Sequence, residues 1–294
     1  MKKIAPYVSA LRPVQWTKNL FVFAAVFFSK SLLNPHAVLK VGAAFFLFCL
    51  VSGCTYIFND LCDRESDRKH PVKAKRPIAS GEIGAAQAVG LLIVCLAISL
   101  TGAFLLGMRF LVVCIVAILV QVLYSLVLKK IVIVDVFIIA LAFVLRVVAG
   151  GVAINVEISS WLLICTLLLA LFLALGKRRH ELVMVASGVT NNRKVLEEYT
   201  SQLLDQMTSI VAASTVITYA LYTVSDTTRM RFHTQNLIFT IPFVLYGIFR
   251  YLYLIHRRQE GGYPENILIS DKPLYINILL WVATAGLIVY VSPF

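Results

Sequence analysis

Residues 136–154 read VFIIALAFVLRVVAGGVAI, an apolar run with a single charged side chain, Arg146. An α-helix rises about 1.5 Å per residue, so about 20 apolar residues cross the roughly 30 Å hydrocarbon core of a bilayer. Comparable runs recur along the chain. We predict about nine spans, near residues 16–33, 37–58, 85–106, 110–128, 131–153, 160–176, 207–225, 236–255 and 274–292. The pattern predicts an all-α, polytopic membrane protein, whose first span is the weakest because Lys30 interrupts it.

The overall composition supports a membrane protein. Of the 294 residues, 60% are hydrophobic and 14% are charged, whereas ordinary soluble domains are about 45 to 50% apolar. The net charge of +12 would suggest a nucleic-acid partner in a soluble protein. Here the basic residues lie mostly between the apolar runs, as in cytoplasmic loops that follow the positive-inside rule. We therefore predict a single membrane domain over residues 1–294, in contact with the bilayer and without a nucleic-acid partner.

The distribution of basic residues predicts the orientation. When the loops are placed alternately on the two sides, most Lys and Arg residues fall on the side of the N-terminus. The other side holds only Lys30, Lys40, Arg109, Arg229 and Arg231. We therefore predict a multi-pass protein of the inner (cytoplasmic) membrane with its N-terminus in the cytosol. An odd number of spans places the C-terminus outside, and the two long polar loops, 59–84 and 177–206, face the cytosol together with any active site.

An acidic motif follows the second span, where Asn59, Asp60, Asp63 and Asp67 form the pattern N-D-x-x-D-x-x-x-D. On a continuous helix these positions fall at roughly 0°, 100°, 40° and 80°, so all four share one face. Clustered carboxylates repel one another unless a cation lies among them, and oxygen ligands combined with substrate phosphates suit Mg²⁺. A solvated helix end is the simpler alternative. We favour a Mg²⁺–diphosphate site because an acidic face has no evident anchoring use beside basic loops.

A basic segment bounded by prolines follows the acidic motif. Its cations, among them Arg68, Lys73, Lys75 and Arg76, are suited to bind phosphate oxygens that gain charge in a transition state, as is Arg64 within the motif. Anchoring under the positive-inside rule explains these residues almost as well. We select Arg76 as the best candidate for a phosphate contact.

These motifs resemble the UbiA superfamily of intramembrane prenyltransferases, whose first signature is N-D-x-x-D-x-x-x-D. The segment R-P-I-A-S-G-E-I, residues 76–83, and the nine-span plan resemble the same superfamily. The resemblance implies helices arranged around a central cavity. Typical members carry a second motif, D-x-x-x-D, after the sixth span. This chain has Lys177, Arg178, Arg179 and Glu181 there instead.

The replacement of carboxylates by cations suits a donor with an additional phosphate, or an acceptor that is itself a phosphate. The segments G-K-R-R-x-E-L (176–182) and R-P-x-Q-W-x-K-N (12–19) resemble the decaprenyl-phosphate phosphoribosyltransferase branch of the superfamily. This resemblance implies Mg²⁺-dependent transfer of 5-phosphoribose from phosphoribosyl diphosphate to a polyprenyl phosphate, with release of pyrophosphate. Cell-wall biosynthesis is one expected use of the product, and the choice between a cell-wall pentose donor and another glycolipid stays open. A stop-transfer anchor is the alternative for residues 177–179, but Glu181 adds nothing to anchoring and would suit a ribose hydroxyl or the metal.

Several polar residues are predicted to lie at or below the membrane boundary. Arg146 is costly in the middle of a span, by about 2.5 to 3.5 kcal/mol on insertion scales, and therefore needs a partner. A lipid phosphate would serve, as would Asp135 or Asp226. Lys129 has two interpretations, a phosphate contact implied by the resemblance and a simple membrane anchor. The glycine pair at Gly150 and Gly151 predicts close helix packing, because glycine lets two helix backbones approach each other.

The predicted site residues divide by role. Asp60, Asp63 and Asp67 are predicted to be catalytic, and together with Asn59 they are the predicted ligands of Mg²⁺. The predicted substrate contacts are Gln15, Lys18, Asn19, Asn59, Arg64, Arg68, Lys75, Arg76, Tyr124, Lys129, Arg146, Lys177, Arg178, Arg179, Glu181 and Tyr199.

Two alternative functions stay open at this point. One is a prenyltransferase that moves a prenyl group from a prenyl diphosphate to an aromatic or other polar acceptor, which the missing D-x-x-x-D motif disfavours. The other is a membrane transporter, which would leave the acidic motif and both polar loops unexplained. The prenyl chain length depends on cavity depth, and both a monomer and an oligomer are compatible with these patterns.

Overall fold

The computed structural model describes residues 4–69, 72–186, 194–257, 267 and 270–291, and regular structure within these residues is helical. The α-helices are α1 (Ala5–Ala10), α2 (Ala24–Phe28), α3 (Pro35–Cys62), α4 (Arg64–Arg68), α5 (Pro77–Ser80), α6 (Ala85–Leu106), α7 (Met108–Leu126), α8 (Val134–Ala153), α9 (Ser160–Ala186), α10 (Ser201–Val224), α11 (Asp226–Phe232), α12 (Ile241–Arg257) and α13 (Lys272–Val291). Short 3₁₀ helices occupy Pro13–Phe23, Lys73–Lys75, Leu128–Lys130, Lys194–Glu198 and Asn236–Thr240.

Among the described residues, eight helical segments are long and apolar enough to cross a membrane. They correspond to the second through ninth predicted spans, so the prediction of an all-α, polytopic membrane fold is confirmed. Most ends agree within a few residues, and α6 occupies residues 85–106 as predicted. The largest difference is at α9, which we expected to end near residue 176 and which continues to Ala186. The polar segment predicted at 177–206 therefore begins as a helix, and its residues 187–193 lie outside the described residues.

The first predicted span, 16–33, takes a different form. An 11-residue 3₁₀ helix, Pro13–Phe23, runs into α2, which ends at Phe28. A 3₁₀ helix rises about 2.0 Å per residue, so residues 13–28 extend about 30 Å, close to the thickness of the hydrocarbon core. A ninth crossing in this form stays a prediction, and so does the orientation of the chain in the membrane.

The described residues group into two compact units. The first contains the residues up to Glu157 together with 194–195, and the second contains those from Ile158 to Ala186 and from Leu196 onward. The predicted single membrane domain stays a prediction.

The core of the first unit is built from the segment 13–28 and from α3, α7 and α8. Val26, Val41, Phe48, Phe110 and Ala149 are all buried there. Polar capping defines the start of α3, because the Asn34 side chain accepts hydrogen bonds from the backbone N–H groups of residues 36 and 37. The long helix α3 then carries the acidic motif at its far end.

Gly150 allows a very close approach between two helices of the first unit. A Cβ atom at this position would lie 1.9 Å from the carbonyl oxygen of Val22, a separation that no side chain tolerates. Helix α8 therefore packs directly against the backbone of the N-terminal 3₁₀ helix. The predicted close packing at residues 150–151 is confirmed for Gly150.

The core of the second unit contains Phe172, Tyr251 and Leu254 from α9 and α12. Gly176 lets these helices pack closely, because a Cβ there would lie 2.7 Å from Ile255 Cδ1. At the start of α13, Asp271 accepts two hydrogen bonds from Arg250, at 3.0 and 2.8 Å.

Candidate active site

The acidic motif lies where α3 ends. Helix α3 ends at Cys62, Asp63 has φ −96° and ψ 7°, and α4 begins at Arg64. The backbone N–H of Asp67 still donates to the carbonyl of Asp63 at 2.8 Å, so the helical path continues with only a slight break. Asp60 and Asp67 are buried, each 3% exposed, whereas the Asp63 side chain is 30% exposed. The motif thus presents two buried carboxylates and one accessible carboxylate.

Arg76 joins the two buried aspartates. Its Nη1 lies 3.1 Å from Asp60 Oδ1 and 2.5 Å from Asp67 Oδ2. The following Pro77 disfavours helical geometry at Arg76, which is extended at φ −68° and ψ 142°. Gly81, at φ +89°, ends α5 in a left-handed conformation that favours glycine. The sequence R-P-I-A-S-G therefore builds a tight turn that holds the Arg76 guanidinium over the aspartates.

Arg12 also binds Asp60, and we did not predict this contact. Its Nη2 donates to Asp60 Oδ1, and its guanidinium lies 5.0 Å from the centre of the Tyr56 ring. Arg12 itself adopts a left-handed conformation, at φ 53° and ψ 64°, just before Pro13. The quoted motif R-P-x-Q-W-x-K-N begins with this residue and was the available signal.

Two lysines pair with Asp63 and with the second oxygen of Asp67. Lys129 Nζ lies 2.7 Å from Asp63 Oδ1 and 2.8 Å from Asp63 Oδ2. Lys73 Nζ lies 3.9 Å from Asp67 Oδ1, so this cation of the basic segment pairs with the acidic motif, which we did not predict. Lys129 follows α7 in the chain, so this ion pair ties the loop after α7 to the acidic motif.

The charges in this cluster do not cancel. Asp60, Asp63 and Asp67 carry three formal negative charges, and Arg12, Lys73, Arg76 and Lys129 carry four positive charges. A divalent cation alone would make the cluster more positive. A metal together with a diphosphate would restore the balance, because the diphosphate brings several negative charges to the basic side chains.

The carboxylates suit a hard divalent cation. One nitrogen of Arg76 already lies within reach of oxygens from both Asp60 and Asp67, so these two carboxylates converge on a shared cation position. In the described part of the chain, no group of three His, Cys, Asp or Glu side chains is arranged around one point. Mg²⁺ is commonly held by one or two carboxylates and completed by substrate phosphates. The donor set fits that mode.

The structure gives other residues of the predicted basic segment a different position. Arg64 Nε donates to the carbonyl of Ile78 at 3.3 Å, and Arg68 Nε donates to the carbonyl of Ala79 at 3.1 Å. Both arginines therefore hold the α5 turn that carries Arg76. Lys75 is exposed, while Asn59 and Tyr124 are half-buried.

A second polar cluster of the first unit lies deeper in the bundle and centres on Arg146. This residue is 7% exposed. Its Nε donates to Asn19 Oδ1 at 2.7 Å, and its Nη1 donates to the carbonyl of Ala142 at 2.6 Å. The guanidinium also lies 5.1 Å from the ring centre of Phe143 and 5.8 Å from that of Phe48. In the described part of the first unit, Arg146 does not form a salt bridge with Asp135, which was one of the partners that we considered.

Asn19 organises this deeper cluster. It is fully buried, and besides Arg146 its Oδ1 accepts a hydrogen bond from Ser52 Oγ at 3.3 Å. Its Nδ2 donates to Cys49 Sγ at 3.2 Å. The nearby Lys18 donates to Gln15 Oε1 at 2.5 Å.

The basic motif on α9 forms ion pairs within the second unit. Arg178 is fully buried, and its Nη1 lies 2.5 Å from Glu181 Oε2. Arg179 Nε lies 2.5 Å from Asp205 Oδ1, and His256 Nε2 lies 3.3 Å from the same oxygen. Helical geometry explains the first pair, because residues 178 and 181 are three positions apart on one helix. Lys177 is half-buried, and Tyr199 is buried.

Comparison with protein families gives a match to the UbiA prenyltransferase family over residues 19–262. Two curated relatives are named decaprenyl-phosphate phosphoribosyltransferase. The protein from Mycolicibacterium smegmatis is 34% identical, over 98% of this chain and 94% of its own length. The protein from Corynebacterium glutamicum is 32% identical, over 97% of this chain and 87% of its own length. The resemblance drawn from the sequence motifs is thereby confirmed.

Solved structures give the same fold. A UbiA homologue from Archaeoglobus fulgidus bound to GPP and Mg²⁺ superposes with a TM-score of 0.70. The two proteins are 23% identical, over 97% of this chain and 99% of the other. A structure described as digeranylgeranylglyceryl phosphate synthase superposes with a TM-score of 0.69 at 20% identity, covering 99% of this chain and all of the other. Because the sequences are only 23% and 20% identical, these comparisons show a shared fold alone.

Proposed function

The chain belongs to the UbiA prenyltransferase family, a family of transferases, and we propose that it transfers 5-phosphoribose from phosphoribosyl diphosphate to a polyprenyl phosphate. Two observations support the choice of substrates. Curated relatives that cover nearly the whole chain are named decaprenyl-phosphate phosphoribosyltransferase, and the segment after the sixth predicted span carries Lys177, Arg178 and Arg179 in place of aspartates. The donor offers three phosphoryl groups and the acceptor a fourth, which suits a strongly basic protein.

The observation that carries the proposal is the arrangement of Arg76 between Asp60 and Asp67. Asp60, Asp63 and Asp67 would hold Mg²⁺, and the amide oxygen of Asn59 would be a further ligand. When bound, the metal would neutralise charge on the diphosphate as it leaves the anomeric carbon. The homologue from Archaeoglobus fulgidus was solved with Mg²⁺, which supports the same ion here.

The basic residues of the first unit would then exchange partners. Arg12, Lys73, Arg76 and Lys129 pair with aspartates in this structure. With the carboxylates engaged in holding Mg²⁺, these four side chains would be available to bind the diphosphate oxygens. Charge-assisted hydrogen bonds from them would strengthen as the leaving group gains charge, and such differential stabilisation is what lowers a barrier.

The reaction needs no strong general base. The bond between the anomeric carbon and the diphosphate oxygen breaks, and a bond between that carbon and an oxygen of the acceptor phosphate forms. The attacking oxygen is already anionic at neutral pH, so no proton has to be removed. The residues of the site therefore act by positioning and electrostatics. Substrate roles for Lys177, Arg178, Arg179, Glu181 and Tyr199 remain part of the proposal.

We also propose that the acidic motif faces the cytosol in the inner membrane. The excess of basic residues on the N-terminal side supports this orientation. A donor with three phosphoryl groups does not cross a bilayer, so it must be met on the side where it is made. Labelling of single-cysteine variants at Glu65 and Arg109 in intact cells tests this. A membrane-impermeant maleimide should label position 109 and spare position 65.

The proposal is tested by measuring pyrophosphate release from purified protein in detergent with Mg²⁺, phosphoribosyl diphosphate and decaprenyl phosphate. Release should require all three components and should stop when EDTA is added. Absence of release with several polyprenyl phosphates of different length would contradict the proposed reaction. Replacement of the donor by geranyl diphosphate serves as the matched control for the alternative prenyltransferase activity.

A further inference from the structure

Directly below the acidic motif, the first unit contains a small cavity of about 40 Å³. Its polar lining comes from Ser52, Thr55, Tyr56, Gln121 and Arg146, and apolar residues of α3, α7 and α8 complete the wall. Ser52 precedes Asp60 by eight positions on α3, which corresponds to about 12 Å along the helix axis. The cavity is therefore a polar pocket at membrane depth, on the bilayer side of the acidic motif.

Arg146 is the charged group of this pocket, and its charge is incompletely paired. Its Nε and Nη1 donate to an amide oxygen and a carbonyl oxygen, and two aromatic rings flank it. In the described residues of the first unit, its Nη2 has no hydrogen-bond partner. A guanidinium that is 7% exposed and lacks a carboxylate partner is unfavourable in an apolar surrounding. An anion in the adjoining cavity would remove that penalty.

We infer that this pocket binds the phosphate monoester of the lipid acceptor, with Arg146 as its principal contact. The inference rests on the proposed function for the identity of the lipid. The depth of the pocket favours a lipid phosphate over a soluble sugar phosphate, because Phe48, Val51 and Leu145 surround it with apolar surface. The roughly 12 Å along α3 between Ser52 and Asp60 would leave room for the acceptor phosphate and the reacting sugar carbon between this pocket and the aspartates.

Asn19 has a positioning role in this arrangement. It accepts from Arg146 Nε and from Ser52 Oγ, and so fixes the plane of the guanidinium. Because Asn19 is neutral, it orients Arg146 without cancelling the charge that an anionic ligand needs. An aspartate of nearly the same size at this position would cancel that charge.

This difference between orienting and neutralising gives a sharp test. Binding of decaprenyl phosphate and of decaprenol is measured by competition against radiolabelled decaprenyl phosphate in detergent micelles. Asn19→Asp is expected to fold, because it gives Arg146 an internal ion pair. Its ratio of affinities for decaprenyl phosphate and decaprenol should fall at least tenfold. Arg146→Gln should lose the same preference while its binding of decaprenol stays unchanged. Arg109→Gln, which removes an exposed arginine at the far end of α7, should behave as the wild type.

The outcomes separate the possible roles of Arg146. If Asn19→Asp is folded and keeps the full phosphate preference, Arg146 serves the fold alone and the inference is overturned. If ribose 5-phosphate displaces the labelled lipid in the wild type but not in Asn19→Asp, the pocket takes the sugar phosphate, and the assignment to the acceptor is wrong. These binding measurements need no donor, so they stand apart from the test for pyrophosphate release. If the wild type releases no pyrophosphate but the variants lose the phosphate preference, the lipid-phosphate pocket is supported and the proposed donor is wrong.

Discussion

Lys129 donates to both carboxylate oxygens of Asp63, at 2.7 and 2.8 Å, although the two residues are 66 positions apart in the sequence. The pair brings a cation from the loop after α7 to the only accessible aspartate of the motif. The first prediction therefore concerns Asp63, because its side chain is 30% exposed and its loss should harm catalysis more than folding.

Asp63→Asn should lower turnover by at least about a hundredfold, the scale of losing one preorganised electrostatic contact. The melting temperature should change little, because partly exposed ion pairs contribute about 1 kcal/mol or less. Pyrophosphate release and thermal unfolding measure the two effects. Glu65→Gln is the matched control, since the Glu65 side chain is 79% exposed and pairs only with Arg68 among the described residues. Wild-type turnover in Asp63→Asn would remove this residue from the metal site.

Arg76→Gln is predicted to change how the protein responds to metal. Without ligands the variant should melt at a lower temperature, because Asp60 and Asp67 lose their shared cation. Mg²⁺ alone should then stabilise the variant more than the wild type, by linkage of binding to folding. The apparent affinity for Mg²⁺ without donor should rise about tenfold or more, whereas the affinity for phosphoribosyl diphosphate should fall.

Thermal unfolding over a Mg²⁺ titration, with and without donor, measures both changes at Arg76. Arg109→Gln again provides the control for loss of one positive charge. An identical Mg²⁺-induced shift in Arg76→Gln and the wild type would mean that Arg76 does not compete with the metal.

Gly150→Ala should destabilise the first unit. A Cβ at this position would lie 1.9 Å from the Val22 carbonyl oxygen, so α8 and the N-terminal 3₁₀ helix would have to separate. Overpacking of this kind costs about 1 to 3 kcal/mol, and backbone atoms have little freedom to yield. Gly42→Ala is the matched control because a Cβ there meets nothing within 4 Å. Thermal unfolding in the same detergent compares the two, and equal stability would contradict the close approach.

The membrane spans could be predicted from the sequence because a span depends only on a continuous stretch of neighbouring residues. A bilayer demands a helix of fixed length with apolar side chains, so α6 and α8 follow from hydropathy alone. The shared face of Asp60 and Asp67 followed from helical periodicity over a few residues. The 3₁₀ form of Pro13–Phe23 could not be predicted in this way, since apolar content does not distinguish one helical geometry from another.

The partners of the site residues depend on tertiary contacts that periodicity does not reveal. Arg12 lies 48 positions from Asp60, and Arg146 lies 127 positions from Asn19. The substrate contact expected of Asn19 stays a prediction, and its hydrogen bond from Arg146 is a contact that the sequence did not reveal. Arg64 and Arg68 were predicted as substrate contacts and stay so, and the structure adds that both donate to backbone carbonyls of α5, which carries the turn after Arg76.

The central claim is that the acidic motif and its basic partners transfer phosphoribose, and one labelling measurement tests it directly. Purified protein receives phosphoribosyl diphosphate labelled in the ribose, together with unlabelled geranyl diphosphate, an aromatic acceptor, decaprenyl phosphate and Mg²⁺. We predict that the label moves into the lipid phase in equal amount to the pyrophosphate released, and that Asp63→Asn slows both by at least about a hundredfold. A label that stays in the aqueous phase, while the geranyl group is transferred to an added aromatic acceptor, would contradict the account.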